Sequence, residues 1–268
     1  MTTYGIIGTG QMGSAMAKAL CAEVGGERVF LANRSPEKAE ALAKELGAIA
    51  CDNQTAAKCS FVILAVKPQT MGALLESLKG VLSERTDRFV LVSVAAGLNI
   101  ADLQAMAGGN YPLLRIMPNT PVSIGAGMCL YCASPEVESA EIAEFRNAAR
   151  SAGRFDEIPE DKMNVGSALT GCSPAFVSIF LEAMADGGVA CGLPRAKALE
   201  YAAQAIAGTA QLYLATRTHP GEMKDAVCSP GGSTIAGVRA LEQAGLRAGV
   251  MAAVEASCAR GAELGKTK

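Results

Sequence analysis

The chain has 268 residues, half of them hydrophobic, enough for one large domain or two modest ones. A formal charge of −2, a pI of about 5.6 and 4% aromatic residues without a tryptophan leave neither the basic face that nucleic acid wants nor a platform on which its bases could stack. No segment reaches the roughly 18 apolar residues of a membrane span, no basic stretch precedes the first strand, and nine scattered cysteines build no disulfide framework; the expectation is a cytoplasmic protein with reduced thiols, no membrane and no nucleic-acid partner.

In chain order, YGIIG (4–8) reads as a short apolar strand, 14–24 as a helix and RVFLAN (28–33) as a second strand. Ser35-Pro36-Glu37 opens a helix, with Ser35 as N-cap and proline at the first helical position; Gly47 ends it. AIAC, FVILAV and FVLVSV follow as strands with helical stretches between them, then LLRIM (113–117) and MCLYCA (128–133). Cys129 and Cys132 sit three apart on that last strand and point to opposite faces, so their C-x-x-C spacing is no metal site, and no metal is expected. Strands alternating with helices predict a mostly parallel, doubly wound α/β sheet. From Glu160 onward no strand is read, and helices are placed at about 161–169, 174–191, 195–216, 220–227, 234–244 and 246–264. The expected organisation is therefore an α/β domain over 1–158 and an all-helical domain over 159–268. Small residues crowd the helices of the latter, and a second subunit is expected to complete it as a homo-oligomer.

Gly8-Thr9-Gly10-Gln11-Met12-Gly13 is G-x-G-x-x-G between a strand and a helix within one βαβ unit. The first glycine permits a tight turn, the second lets backbone approach a pyrophosphate, and the third lets helix and strand pack closely. The helix N-terminus offers its free N–H groups to the phosphates. At the end of the second strand an NAD site carries an acid for the ribose 2′-OH. This chain has Asn33-Arg34-Ser35 there, with no acid to repel a 2′-phosphate, Arg34 to pair with it and Ser35 to hydrogen-bond it, so NADP is expected over NAD. Ala65-Val66-Lys67-Pro68, Ala95-Ala96-Gly97 and Met117-Pro118-Asn119-Thr120-Pro121 follow the fourth, fifth and sixth strands at the same sheet edge. Their small residues and prolines suit packing against ribose and nicotinamide, and plain turn chemistry accounts for each taken singly.

Ser229-Pro230-Gly231-Gly232-Ser233-Thr234 interrupts a helical stretch, where two glycines cost roughly 1 kcal/mol each relative to alanine. Glycines expose backbone N–H groups and adopt positive φ, which makes an anion-binding nest. The helix after it adds its dipole, and Ser229 and Thr234 add hydroxyls, giving a carboxylate receptor without a lysine. A helix–helix turn with Ser233 as N-cap is the plainer reading of the same residues. His219, the one histidine, reads as a turn residue.

These motifs together resemble pyrroline-5-carboxylate reductase over essentially the full chain. DAVCSPGGSTIAGVRALE (225–242) follows that family's D-x-V-x-S-P-G-G-x-T block; Ala185-Asp186-Gly187-Gly188-Val189, Gly192-Leu193-Pro194-Arg195 and Val254-Glu255-Ala256-Ser257 agree, as do the IGTGQMG, AVKP and AAG loops. The resemblance implies a Rossmann-like domain followed by an all-α dimerisation domain. It implies reduction of the imine of L-1-pyrroline-5-carboxylate to L-proline by hydride from NADPH, with NADH as the alternative donor. Carried over residue by residue, it places Ser229, Gly231, Gly232 and Ser233 around the substrate carboxylate, Thr234 at the ring nitrogen as the catalytic residue, and Glu160 near the substrate pocket. It places Ile7, Gly8, Thr9, Gly10, Gln11, Met12, Gly13, Arg34, Ser35, Asn53, Ala65, Val66, Lys67, Pro68, Ala95, Ala96 and Gly97 along the cofactor. It also implies intertwined dimers that assemble into decamers through the C-terminal helices. One departure is Thr170-Gly171-Cys172-Ser173-Pro174, where the family commonly has S-G-S-G-P; Ser173 still serves as an N-cap. Two other readings share the architecture. A β-hydroxyacid dehydrogenase would carry a lysine on its interdomain helix, and 166–183 has none; a non-catalytic NADP sensor would have no need of a carboxylate pocket.

Overall fold

A computed structural model describes residues 1–264. The strands are β1 (Tyr4–Ile7), β2 (Val29–Ala32), β3 (Ile49–Ala50), β4 (Phe61–Leu64), β5 (Val90–Ser93), β6 (Leu113–Met117), β7 (Gly127–Ala133) and β8 (Gly153–Glu157). In the interior of the sheet, runs of aliphatic residues too short for a helix form strands buried on both faces, as parallel sheets require, while the two edge strands β3 and β8 are largely exposed. The order in the sheet is β3-β2-β1-β4-β5-β6-β7-β8, parallel throughout except where β7 runs against β6. Connecting helices are α1 (Gln11–Val24), α2 (Pro36–Leu46), α3 (Asn53–Ala56), α4 (Pro68–Glu84), α5 (Ile100–Ala107), α6 (Ser139–Ala148) and α7 (Met163–Thr170). This is the doubly wound, Rossmann-like arrangement expected from the alternation of elements.

Alternate residues of one strand enter opposite cores. Tyr4 and Ile6 join Phe61, Ile63 and Phe145 on one face, under α1 and α6. Ile7 joins Val62, Leu64, Leu75 and Leu103 on the other, under α4 and α5. Cys129 and Cys132 likewise fall into different clusters. Burial pushes the Cys129 thiol up to about 12; burial, reinforced by the Glu160 charge, pushes Cys132 up to about 11.

Several boundaries differ from the sequence expectation. The first helix begins at Gln11, three residues earlier than read. Ser35 occupies the N-cap of α2, but its side chain makes no capping bond. Strand β8 was not expected. It is an edge strand whose Arg154, Asp156 and Glu157 are exposed, and that polarity hides the strand pattern.

The chain divides into two compact units, Met1–Gly171 with the chain from Cys258, and Cys172–Ser257. The second contains α8 (Ser173–Ala190), α9 (Arg195–Thr216), α10 (Pro220–Ala226), α11 (Ser233–Gln243) and most of α12 (Leu246–Leu264). Helices α8 and α9 form a hairpin turned at Gly192, with Gly188 set against Ala198 so closely that an added Cβ would lie 3.1 Å from its methyl. Cys172, not Ser173, occupies the cap of α8. Among the described residues one helical stretch, Glu160–Ala190, is long and apolar enough by length and composition to cross a membrane, a test that a helix of a soluble protein also passes. Its hydropathy comes from alanine and large aliphatic and aromatic residues over two successive helices, and Glu182 and Asp186 interrupt them, so no continuous apolar run announces it.

Candidate functional site

In the first unit the candidate site begins at the carboxyl end of β1. Gly8 continues the ladder, its N–H donating to the Ala32 carbonyl at 2.8 Å, and then turns with φ +106°. A Cβ there would run into the Ala65 carbonyl oxygen, and one at Gly13 into the carbonyl of Gly8, so strand, loop and helix approach as only glycine allows. Gly10 faces open space, with nothing within 4 Å of an added Cβ. Gln11, Met12 and Gly13 form the first turn of α1, whose N–H groups have no acceptor within the helix. Thr9 Oγ1 is buried without a hydrogen-bond partner among the described residues. Open backbone, free N–H groups and an orphaned hydroxyl fit a pyrophosphate.

Asn33 stitches this loop to the next. Its Oδ1 accepts from Thr9 N at 3.2 Å, and its Nδ2 donates to the Ser35 carbonyl at 3.1 Å. Beyond it, Arg34 and Asn53 line one hollow of about 380 Å³ together with Pro36, Ala39, Asp52 and Glu40. Ser35 is half-buried and does not line it. Residues 33–35 hold no acid, but the hollow brings two carboxylates from elsewhere. Asp52 is engaged: it caps α3, accepting from Thr55 N at 2.7 Å, and the Thr55 side-chain and backbone hydrogen bonds hold its carboxyl below the usual range.

Ala65 and Val66 leave β4, Lys67 takes the cap position of α4, and Pro68 its first turn. The Ala95–Gly97 loop follows β5: Ala95 is buried, its N–H donating to Ser93 Oγ at 3.3 Å; Ala96 is exposed, and Gly97 turns at φ +77°. Ile7 is buried at the end of β1, where its carbonyl accepts from Ala65 N at 2.9 Å. The glycine loop therefore joins the loops after β2 and β4 at one sheet edge.

Glu160 is tied down within the first unit. Its Oε1 accepts from Ile100 N at 2.8 Å and from Arg115 Nη1 at 3.1 Å. Sequence reasoning passed over Arg115, although one arginine inside the apolar strand LLRIM was the available signal. It also passed over the role of Asn119, whose side chain accepts from Met128 N and donates to the Thr170 carbonyl, fixing the loop after β6 to α7.

In the second unit, Gly231 turns at φ +67°, and Gly232 N donates to the Ser229 carbonyl at 3.0 Å. Gly232 caps α11 without a side-chain bond. Ser233 is thus the first helical residue, not the N-cap. Thr234 follows in the first turn, and Ser229, Ser233 and Thr234 are exposed, with no hydrogen bond to their hydroxyls among the described residues. The first N–H groups of α11 have no acceptor in their own helix. Hydroxyls and N–H groups thus converge on one exposed loop with the chemistry of a carboxylate receptor. His219 is a turn residue as expected, its Nδ1 accepting from Gly221 N at 3.1 Å to cap α10.

Two family models match the chain: one described as NADP oxidoreductase coenzyme F420-dependent, over residues 3–97, and one described as pyrroline-5-carboxylate reductase dimerisation, over residues 160–264. The pyrroline-5-carboxylate reductase of a Synechocystis species is 39% identical, covering 98% of each chain. That of Escherichia coli is 36% identical, again covering 98% of each. Among solved structures, Plasmodium falciparum pyrroline carboxylate reductase with NADP bound superposes with a TM-score of 0.87 at 32% identity over 98% of each chain. The pyrroline-5-carboxylate reductase from Coxiella burnetii does so with a TM-score of 0.90 at 28% identity over 98% of each.

Proposed function

Because the chain belongs to the pyrroline-5-carboxylate reductase family, we propose that it reduces the C=N bond of L-1-pyrroline-5-carboxylate to L-proline, the last step of proline biosynthesis, with NADPH as the preferred donor and NADH as the alternative. The observation that carries this reading is the 229–234 loop, where free hydroxyls and helix N–H groups meet without a lysine. Such a loop holds a carboxylate by hydrogen bonds worth roughly 1.5–3 kcal/mol each.

Ser229, Gly231, Gly232 and Ser233 hold the substrate carboxylate, and Thr234 orients the ring nitrogen. The loops at Ile7–Gly13, Arg34–Ser35, Asn53, Ala65–Pro68 and Ala95–Gly97 hold the dinucleotide, Arg34 meeting the 2′-phosphate. When bound there, the dinucleotide would supply the hydride for the imine carbon. The π electron pair would then pass to nitrogen, which would keep the proton of the protonated imine, giving a secondary amine. A protonated imine is already strongly electrophilic, so the protein's main task is to orient two ligands. The assignment divides the chain into a cofactor domain over 1–158 and a substrate-binding and dimerisation domain over 159–268. It makes the protein a cytoplasmic homodimer that assembles into decamers.

The test is NADPH oxidation at 340 nm with L-1-pyrroline-5-carboxylate, with NADH in parallel. Fast substrate-dependent oxidation, quicker with NADPH at low cofactor, is expected. No oxidation with either donor, from folded protein that binds NADPH, would give the 229–234 loop some other anion, and hydroxy acids would be tried next. Thr234→Ala should lower turnover about 10- to 1000-fold while NADPH binding persists, the range for one lost positioning or proton-transfer contact; unchanged turnover removes Thr234 from the site.

A further inference from the structure

Arg115 is a guanidinium in the middle of β6, its side chain 4% exposed, and no step of the reduction uses it. A buried cation costs several kcal/mol unless it is paired and hydrogen-bonded. Here it is paired with one carboxylate, and Nε has no partner among the described residues. Stability alone is a weak reason to keep such an arrangement, since a well-packed apolar side chain of similar volume is often as stable.

What the pair holds is more informative. The Glu160 oxygen that accepts from Arg115 also accepts from Ile100 N, the first N–H of α5. Helix α5 already has a local cap: Asn99 Oδ1 accepts from Asp102 N at 2.7 Å, and Asp102 Oδ2 from Asn99 N at 3.3 Å. Glu160 therefore adds a long-range tie, from a residue sixty positions away, to a helix start that is locally satisfied. The segment ending at that tie is the Ala95–Gly97 loop. Its other end is held by Ser93 Oγ, which accepts from Ala95 N, and Leu98 is buried beneath it.

We infer that Arg115, acting through Glu160, is a positioning residue that sets the Ala95–Gly97 loop for the dinucleotide, and that Glu160 works on this loop and not on the pyrroline. The inference rests on the reading of that loop as part of the cofactor site. Arg115 fixes the carboxylate, the carboxylate fixes the start of α5, and the loop is left little freedom between two anchored ends. Preorganisation of this kind lowers the ordering cost of binding.

The experiment compares Glu160→Leu, Glu160→Gln and Arg115→Met in the full-length enzyme. It measures NADPH binding by fluorescence titration, KM for each substrate, and thermal melting. Glu160→Leu should weaken NADPH binding roughly tenfold, the scale of one lost hydrogen bond to a charged group, with KM for the pyrroline unchanged. Glu160→Gln keeps an oxygen for Ile100 N and Arg115 and should recover most of the loss. Arg115→Met fills the same buried volume, so it should fold and still shift NADPH binding in the same direction; it decides the matter if Glu160→Leu does not fold. A raised KM for the pyrroline with NADPH binding intact would put Glu160 at the substrate and overturn the inference. A lowered melting temperature with both ligands unaffected would overturn it too. Wild-type protein that binds NADPH but does not turn over the pyrroline would sink the substrate assignment alone, and the binding comparison would still decide the role of Arg115.

Discussion

The two units treat apolar surface in opposite ways. In the first, both faces of the sheet are covered by helices from the same chain, and Ile6, Ile63, Leu75 and Leu103 are sealed from water. In the second, only Ala185, Ala198 and Ala202 are buried, while Ile179, Phe180, Met184, Tyr201 and Leu212 remain exposed on α8 and α9. Monomeric proteins rarely expose contiguous apolar surface on that scale. The first unit is a core in its own right; the second is part of one. Its match to a dimerisation model accords with this difference.

Ile179 breaks the comparison most directly. At 68% exposure in one chain, a change there should cost no more than about 0.5 kcal/mol if the face were free. Ile179→Asp should instead dissociate the assembly, read by size exclusion with light scattering, and should remove the dependence of melting on protein concentration that assembly confers. An intact oligomer would show that this face stays open. Leu75→Ala tests the other side. It should cost about 2–5 kcal/mol in urea unfolding, as buried leucines do, while the assembly state stays unchanged; a shift in oligomer size would mean that the units do not divide the labour as described.

The smallest effect sharpens the comparison at the surface of the first unit. Burial tends to raise the Glu141 carboxyl, but the two hydrogen bonds from Arg88 and one from Glu138 N outweigh it and hold the group below its ordinary value. A carboxyl depressed by folding stabilises above its unfolded pKa and loses that contribution as pH falls through the folded value. Glu141→Gln should therefore cost up to about 1 kcal/mol at neutral pH, and the gap from wild type should close on acidification. A gap that widens in acid would reverse the sign of the argument.

Features written in local spacing were legible in the sequence: the glycine loop at Gly8–Gly13, the helix end at Gly47, and the break at 229–234. Each depends on a backbone shape that few residue types allow. Features made by distant side chains were not. Asp52 and Glu40 come to Arg34 from other elements, and Glu160 reaches Ile100 across sixty positions. Strand β8 escaped because an edge strand needs no apolar alternation, and only its Phe155 packs against the core.

The double duty of Asn33 bears on any attempt to run this reductase on a cheaper donor. The shortest mutational route to a nicotinamide dinucleotide without the extra phosphate is an acid at the end of β2, and Asn33→Asp supplies it in a single base change. That exchange keeps the oxygen that accepts from Thr9 and loses the amide hydrogens given to the Ser35 carbonyl. The redesign would thus loosen the segment that it is meant to reshape. A sounder engineering plan leaves Asn33 alone and changes its neighbour Arg34.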